Sequence, residues 1–186
     1  MIKPNVSIFG EITLRVVCDE VDPLRLQEVA RNLLDLFYSA TNDRIRSEVL
    51  YLLYHLVKNP NLAPPDLYQV CASSPYVGVQ AIHERPNDAQ LAEVYWQIHS
   101  DQVVNENGAF NAPNLNGFFK SHAIPNHVLL DLVRRLKAHA DNGRHLLTIV
   151  RDHRPSAEVH AAILETGWLP ERLRRKIENE IVRQGV

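Results

Sequence analysis

Nine histidines, two cysteines and a scatter of carboxylates are the residues of this chain that could do chemistry. Six of the histidines fall between His122 and His160, at the spacings His122-x4-His127, His139-x5-His145 and His153-x6-His160. A helical zinc site wants two histidines one turn apart with a carboxylate nearby, as in His-Glu-x-x-His, and no pair here has that form. The spacings predict no bound metal and exposed or capping imidazoles instead, with His153 beside Asp152 the one pair of interest. Cys71 is a nucleophile by type, but it shares the apolar face of its helix with Leu67, which predicts a buried core thiol. Ser73-Ser74 and Ser121-His122 lack the Gly-x-Ser-x-Gly elbow that exposes a nucleophile, and no glycine-rich phosphate loop occurs. Asp19-Glu20-Asp22 and Glu178/Glu180 read as charges flanking helices rather than an acid–base pair. The sequence therefore predicts no catalytic residue and no cofactor.

Two sets of residues point to binding. Arg134-Arg135-x-Lys137 and Arg172-x-Arg174-Arg175-Lys176 form a basic cluster on helices, joined by Arg144, Arg151 and Arg154. A stripe made of Arg134, Arg135, Arg174 and Arg175 would track nucleic-acid phosphates. Eight carboxylates are interspersed in the same stretch, and an i,i+4 pair such as Glu171 with Arg175 absorbs part of the charge. Aromatic residues make the case for a protein partner. On the helix opening at Asp88, Leu91, Val94, Tyr95 and Ile98 define an inner face, which places Trp96 about 140° from Leu91, on the outside. Tyr51 and Tyr54 lie opposite the stripe of Ile45, Val49, Leu52, Leu53 and Leu56. Tyrosine and tryptophan are favoured at interface centres. Phe110 sits among polar neighbours and either pins its segment or meets a partner.

The elements that would carry these residues are helical. Asp22-Pro23 opens the first clear helix, with Leu26, Ala30, Leu33, Leu34 and Phe37 recurring every three or four residues. Asp43 can cap the next, which runs to about Val57, and the short polar link between them predicts a helical hairpin. Later helices are shorter and begin near proline: Pro64-Pro65, Pro86-Asn87-Asp88, Pro125-Asn126, Pro155-Ser156 and Leu169-Pro170-Glu171, with one more at Asp141 or Asn142, and a short apolar piece, Tyr76 to Ile82, follows Pro75. Val6 to Val17 alternates in part and reads as a short β segment, while Gly10 to Val21 reads equally as a helix. Ser100 to Lys120 holds five asparagines and two glycines and predicts an irregular loop.

With 45% hydrophobic and 23% charged residues in 186, the chain is expected to fold without disulfide or metal. No apolar run approaches the roughly 18 residues of a membrane span. Met1-Ile2-Lys3-Pro4 does not resemble a secretory signal, and Cys18 and Cys71 are expected to stay reduced in the cytoplasm. The net charge of −2 hides an asymmetry: residues 1–129 hold 9 basic and 14 acidic side chains, and residues 130–186 hold 11 and 8.

The proline starts recur. Asn59-Pro60-Asn61-Leu62, Arg85-Pro86-Asn87-Asp88 and Ala112-Pro113-Asn114-Leu115 are spaced by 26 and then 27 residues. Units this short cannot bury their own apolar faces and must stack on neighbours. The phrase Lys58-Asn59-Pro60-Asn61-Leu62-Ala63-Pro64-Pro65-Asp66-Leu67, with a weaker echo at Arg154-Pro155-Ser156-Ala157-Glu158-Val159, resembles the unit start of leucine-rich repeat variant proteins, over roughly residues 43–170. The resemblance implies a HEAT-like stack of helix pairs without a sheet. The iron–sulfur centre of that family needs about four thiolates, and two cysteines do not supply them. The expectation is one all-α domain over residues 1–186: an N-terminal segment (1–21), a hairpin (22–57) and an irregular α-solenoid of short stacked helices (58–186). The expected function is non-enzymatic binding of another protein, with nucleic acid as the alternative and no membrane.

Overall fold

The computed structural model describes residues 10–136 and 142–185, with side chains from residue 14 onward. The described residues form eleven helices and no strand, so the chain is all-α. They fall into two compact units that meet in sequence at Arg85 and Pro86.

The first unit holds α1 (Gly10–Asp19), α2 (Pro23–Ser39), α3 (Asp43–Leu56), α4 (Pro64–Cys71) and α5 (Pro75–Glu84). Of the two readings of the N-terminal stretch, residues 10–19 take the helical one; the part of the β reading over residues 6–9 lies outside the described residues. Proline occupies the first turn of α2, α4 and α5, where its missing N–H costs nothing. Asp22 accepts from the Leu24 N–H at 3.0 Å, and Ser74 caps α5 through Val77 at 3.2 Å. The cap of α3 is Asn42, bonded to the Arg44 N–H at 2.8 Å, rather than Asp43, which becomes the first helical residue. A carboxylate in the first turn complements the helix dipole there.

Within this unit α2 packs on α3 and α4 on α5; α2 also meets α4, and α3 meets both α5 and α1. Leu26, Leu53, Leu56, Leu67 and Cys71 fill the space between them and are fully buried. Each buried leucine contributes about 1.5 to 3 kcal/mol. Asn59 closes the α1 end. Its side-chain amide donates to the carbonyls of Val17 and Glu20, both at 3.0 Å, and its Oδ1 accepts from the Asn61 N–H at 2.9 Å. The Arg85 guanidinium then donates to the Asn59 and Leu62 carbonyls at 3.2 and 2.8 Å. The Asn-Pro-Asn-Leu phrase is thus a hydrogen-bonded joint.

The second unit holds α6 (Ala89–Val103), α7 (Ala112–Phe118), α8 (Asn126–Arg135), α9 (Asn142–His153), α10 (Ala157–Leu164) and α11 (Glu171–Arg183). Here α6 packs on α7, α8 on α10, and α9 on α11. Gly143 serves the last contact: a Cβ there would stand 2.5 Å from Leu173 Cδ1. Asp141, a candidate cap of α9, and Lys137 of the basic cluster lie outside the described residues.

The asparagine-rich stretch departs from the expected loop. α6 continues to Val103, and Asn111 caps the seven-residue α7 through the Asn114 N–H at 3.3 Å. Between them is a tight turn, closed by a β-bridge from Val104 to Phe110. Asn105 Oδ1 accepts from the N–H groups of Asn107 and Ala109, both at 3.0 Å, and Gly108 takes a φ of 73°, which favours glycine. Asparagine here caps and turns, so its abundance marks order.

Candidate functional site

Two of the aromatic candidates are internal to the second unit. Trp96 is 4% exposed, not on an outer face. Its indole N–H donates to Asp131 Oδ2 at 2.8 Å, and its ring stacks on Phe118 with centroids 5.4 Å apart. The inner face of α6 runs through Leu91, Ala92, Tyr95, Trp96, His99 and Ser100, while Ile98 is 48% exposed. The expected face was centred on large aliphatics; the true one uses small and polar residues that admit a close neighbour. Phe110 is half-buried and meets the His145 ring edge-on at 4.3 Å. With the bridge to Val104, that contact pins the segment to α9.

The other two candidates lie on the first unit and do come together. Tyr51, Tyr54, His55 and Lys58 follow one another at the i, i+3, i+4, i+7 spacing of one helical ridge, along α3 and just past its end. Tyr51 is 42% exposed and stands edge-on to His55, with centroids 4.5 Å apart. Tyr54 meets the other side of His55 at 5.5 Å and stacks on Tyr76 of α5 at 4.8 Å, the planes 13° apart. Tyr76 is 58% exposed. The Lys58 ammonium lies 4.4 Å above the Tyr54 ring, a cation–π contact. Burial among these rings pushes the His55 pKa down, with Lys58 adding to the effect. The Tyr76 hydroxyl is pushed up, first by burial and then by Tyr54. The result is an outward-facing cluster of three tyrosines with a neutral imidazole and one ammonium.

Tyr76, His55 and Lys58 were missed from the sequence. The ridge itself was legible as a second periodicity on α3; Tyr76 looked like the start of an apolar segment, and only the packing of α3 on α5 brings it to Tyr54.

The four arginines of the nucleic-acid alternative are mostly engaged within the protein. Arg135 donates to Asp131 at 2.8 Å and to Asp101 at 2.6 Å, and its guanidinium lies 5.6 Å from the centre of the Trp96 ring. Arg174 donates to the carbonyls of Leu164 and Thr166, closing the end of α10. Arg175 pairs with Glu171 at 2.9 Å, the i,i+4 pair expected from the sequence. Arg134 is exposed.

Cys71 is fully buried, as expected for a core thiol, and Cys18 is exposed; neither is in a disulfide. Among the described residues no three metal-ligating side chains converge. Asp152, the neighbour of His153, is held bidentately by Arg151 at 2.6 and 2.7 Å, which depresses its pKa. No helix among the described residues is long and apolar enough to cross a membrane. Comparison with protein-family models, curated proteins and solved structures finds no match.

Proposed function

We propose that this chain is a non-enzymatic protein-binding module, acting as an adaptor, inhibitor or accessory subunit, with the Tyr51–Tyr54–Tyr76 cluster as the centre of its contact surface. The observation that carries the reading is that Tyr51 and Tyr76 are exposed yet already held, Tyr76 by its stack on the half-buried Tyr54 beneath Lys58 and Tyr51 by its edge-on contact with His55. Aromatic rings fixed before binding lose little side-chain entropy when a partner covers them. A cytoplasmic location goes with this reading, since two distant thiols, one of them buried, are common in reduced intracellular chains. The pairings of α2 with α4, α3 with α5, α8 with α10 and α9 with α11 support the helical-repeat reading and the likeness to leucine-rich repeat variant proteins. Nucleic acid is the weaker partner, because Arg135 and Arg174 are engaged by acceptors within the protein and Arg175 is paired with Glu171 on the surface.

The test is affinity capture with nuclease-treated native extract, run with the wild-type chain and with Tyr51→Ser and Tyr76→Ser. Loss of a specific protein from both variants, with thermal stability held, supports the reading. Unchanged capture in both would move the contact surface elsewhere, and release of the partner by nuclease alone would favour the arginines.

A further inference from the structure

His145 and His153 lie two turns apart on one side of α9, and the ring of Phe119 spans them. Phe119 stacks on His145 with centroids 5.9 Å apart and meets His153 at 5.5 Å. Phe110 covers His145 edge-on at 4.3 Å, and Phe110 is itself bridged to Val104. The stretch from Val104 to Ser121, α7 included, is therefore held on α9 by two imidazoles packed among phenylalanine rings and, at its other end, by the Asn142 amide, which donates to the Gly108 carbonyl at 3.1 Å. A neutral imidazole suits such a place; an imidazolium needs acceptors or water.

His153 is offered neither. It is half-buried, and neither of its ring nitrogens has a hydrogen-bond partner among the described residues. The charges facing it are two. Asp152 favours protonation, but both its oxygens are tied to Arg151. His122, next to the end of the segment that Phe119 anchors, opposes it. From α11, Glu180 acts on Arg151 and not on His153. The helix ends next door at Arg154, whose φ of 45° is left-handed and strained for a side chain with a Cβ.

We propose that this cluster is an acid-sensitive latch: protonation of His153 expels the Phe119 ring and loosens the Phe119 end of the Val104–Ser121 segment on α9. Burial, the largest influence on His153, holds its pKa below the ordinary 6.5, so the latch is closed at neutral pH and its hold weakens as pH falls below that value. The segment carries the exposed edge of Asn105–Asn107 and Asn116, so its loosening changes what the second unit presents to solvent.

Amide hydrogen exchange on the full chain at about pH 7.5 and about pH 5.5, corrected for intrinsic rates, reads this directly. Protection across residues 104–121 is expected to fall by up to about tenfold in acid, the weight of the one unit from 6.5 to about pH 5.5, relative to α2 and α3. His153→Phe keeps a ring against Phe119 without a proton site, and is expected to hold protection at both pH values. Equal protection of the wild type at both pH values overturns the proposal, as does the same acid loss in His153→Phe. Should that variant fail to fold, wild-type NMR decides. Titration of the His153 imidazole below the ordinary range, with Phe119 ring signals moving on the same curve, supports the latch. Phe119 signals that ignore the titration overturn it.

Discussion

Trp96 and Asp131 are joined by a 2.8 Å hydrogen bond from the indole to the carboxylate, and the same Asp131 oxygen accepts from Arg135. This bond fixes α6 to α8 inside the second unit and keeps the tryptophan from any partner. Trp96→Phe should keep the stack on Phe118 but lose the donor, costing about 1 to 3 kcal/mol. Trp96→Ala should cost about 3 to 5 kcal/mol. Urea denaturation checks both; a Trp96→Ala chain as stable as wild type would mean the ring is not core.

Asn59 is 2% exposed and serves two carbonyls at the end of α1. Asn59→Ala leaves both without this donor, and a loss of about 2 to 4 kcal/mol is expected. Calorimetry on the full chain is the measurement, and a change under about 0.5 kcal/mol would be too small for a buried joint.

Arg154 holds a left-handed backbone after α9 with no glycine to relieve it. Arg154→Gly should stabilise the second unit by about 0.5 to 1 kcal/mol, the relief of strain outweighing the freedom glycine gains unfolded. A lower melting temperature in the variant would show that the arginine side chain contributes more than its backbone costs.

His160 on α10 is buried, with no partner for either ring nitrogen among the described residues, and burial lowers its pKa from 6.5. As pH falls through 6.5 the unfolded chain takes up the proton first, so stability is intact above that value and is lost on the way down to the folded pKa. His55 acts in the same direction in the first unit. His160→Leu should therefore narrow the gap in melting temperature between about pH 7.5 and about pH 5.5. An unchanged gap would place the acid sensitivity on other groups.

Helix starts were legible because they are local: Asp22 and Asp88 cap within three residues of themselves, and proline marks the first turns of α2 and α4. The helical face of α6 was not. Trp96, Ser100 and His99 turn inward because of Phe118 and Asp131, which lie far along the chain, and no periodicity of large aliphatics reports that. α7 was hidden for a different reason. Its asparagines and glycine score as loop, yet Asn111 is a cap and Leu115 and Phe118 are buried. In the candidate site, the α3 ridge of Tyr51 and Tyr54 could be read from spacing. The Tyr76 stack could not, since it depends on the packing of α3 against α5.

The Asn59 joint also sets an order of events on the ribosome. α1 emerges first, but the donor that ties its end at Val17 lies 42 residues later. At the usual rate of synthesis that is a wait of roughly 2 to 8 s, during which α1 has no docked C-terminus. α2 and α3 can pair in that interval, and α1 can pack on α3. A nascent chain halted before Asn59 can therefore seat α1 on α3 but leaves the Val17 and Glu20 carbonyls without their Asn59 donor.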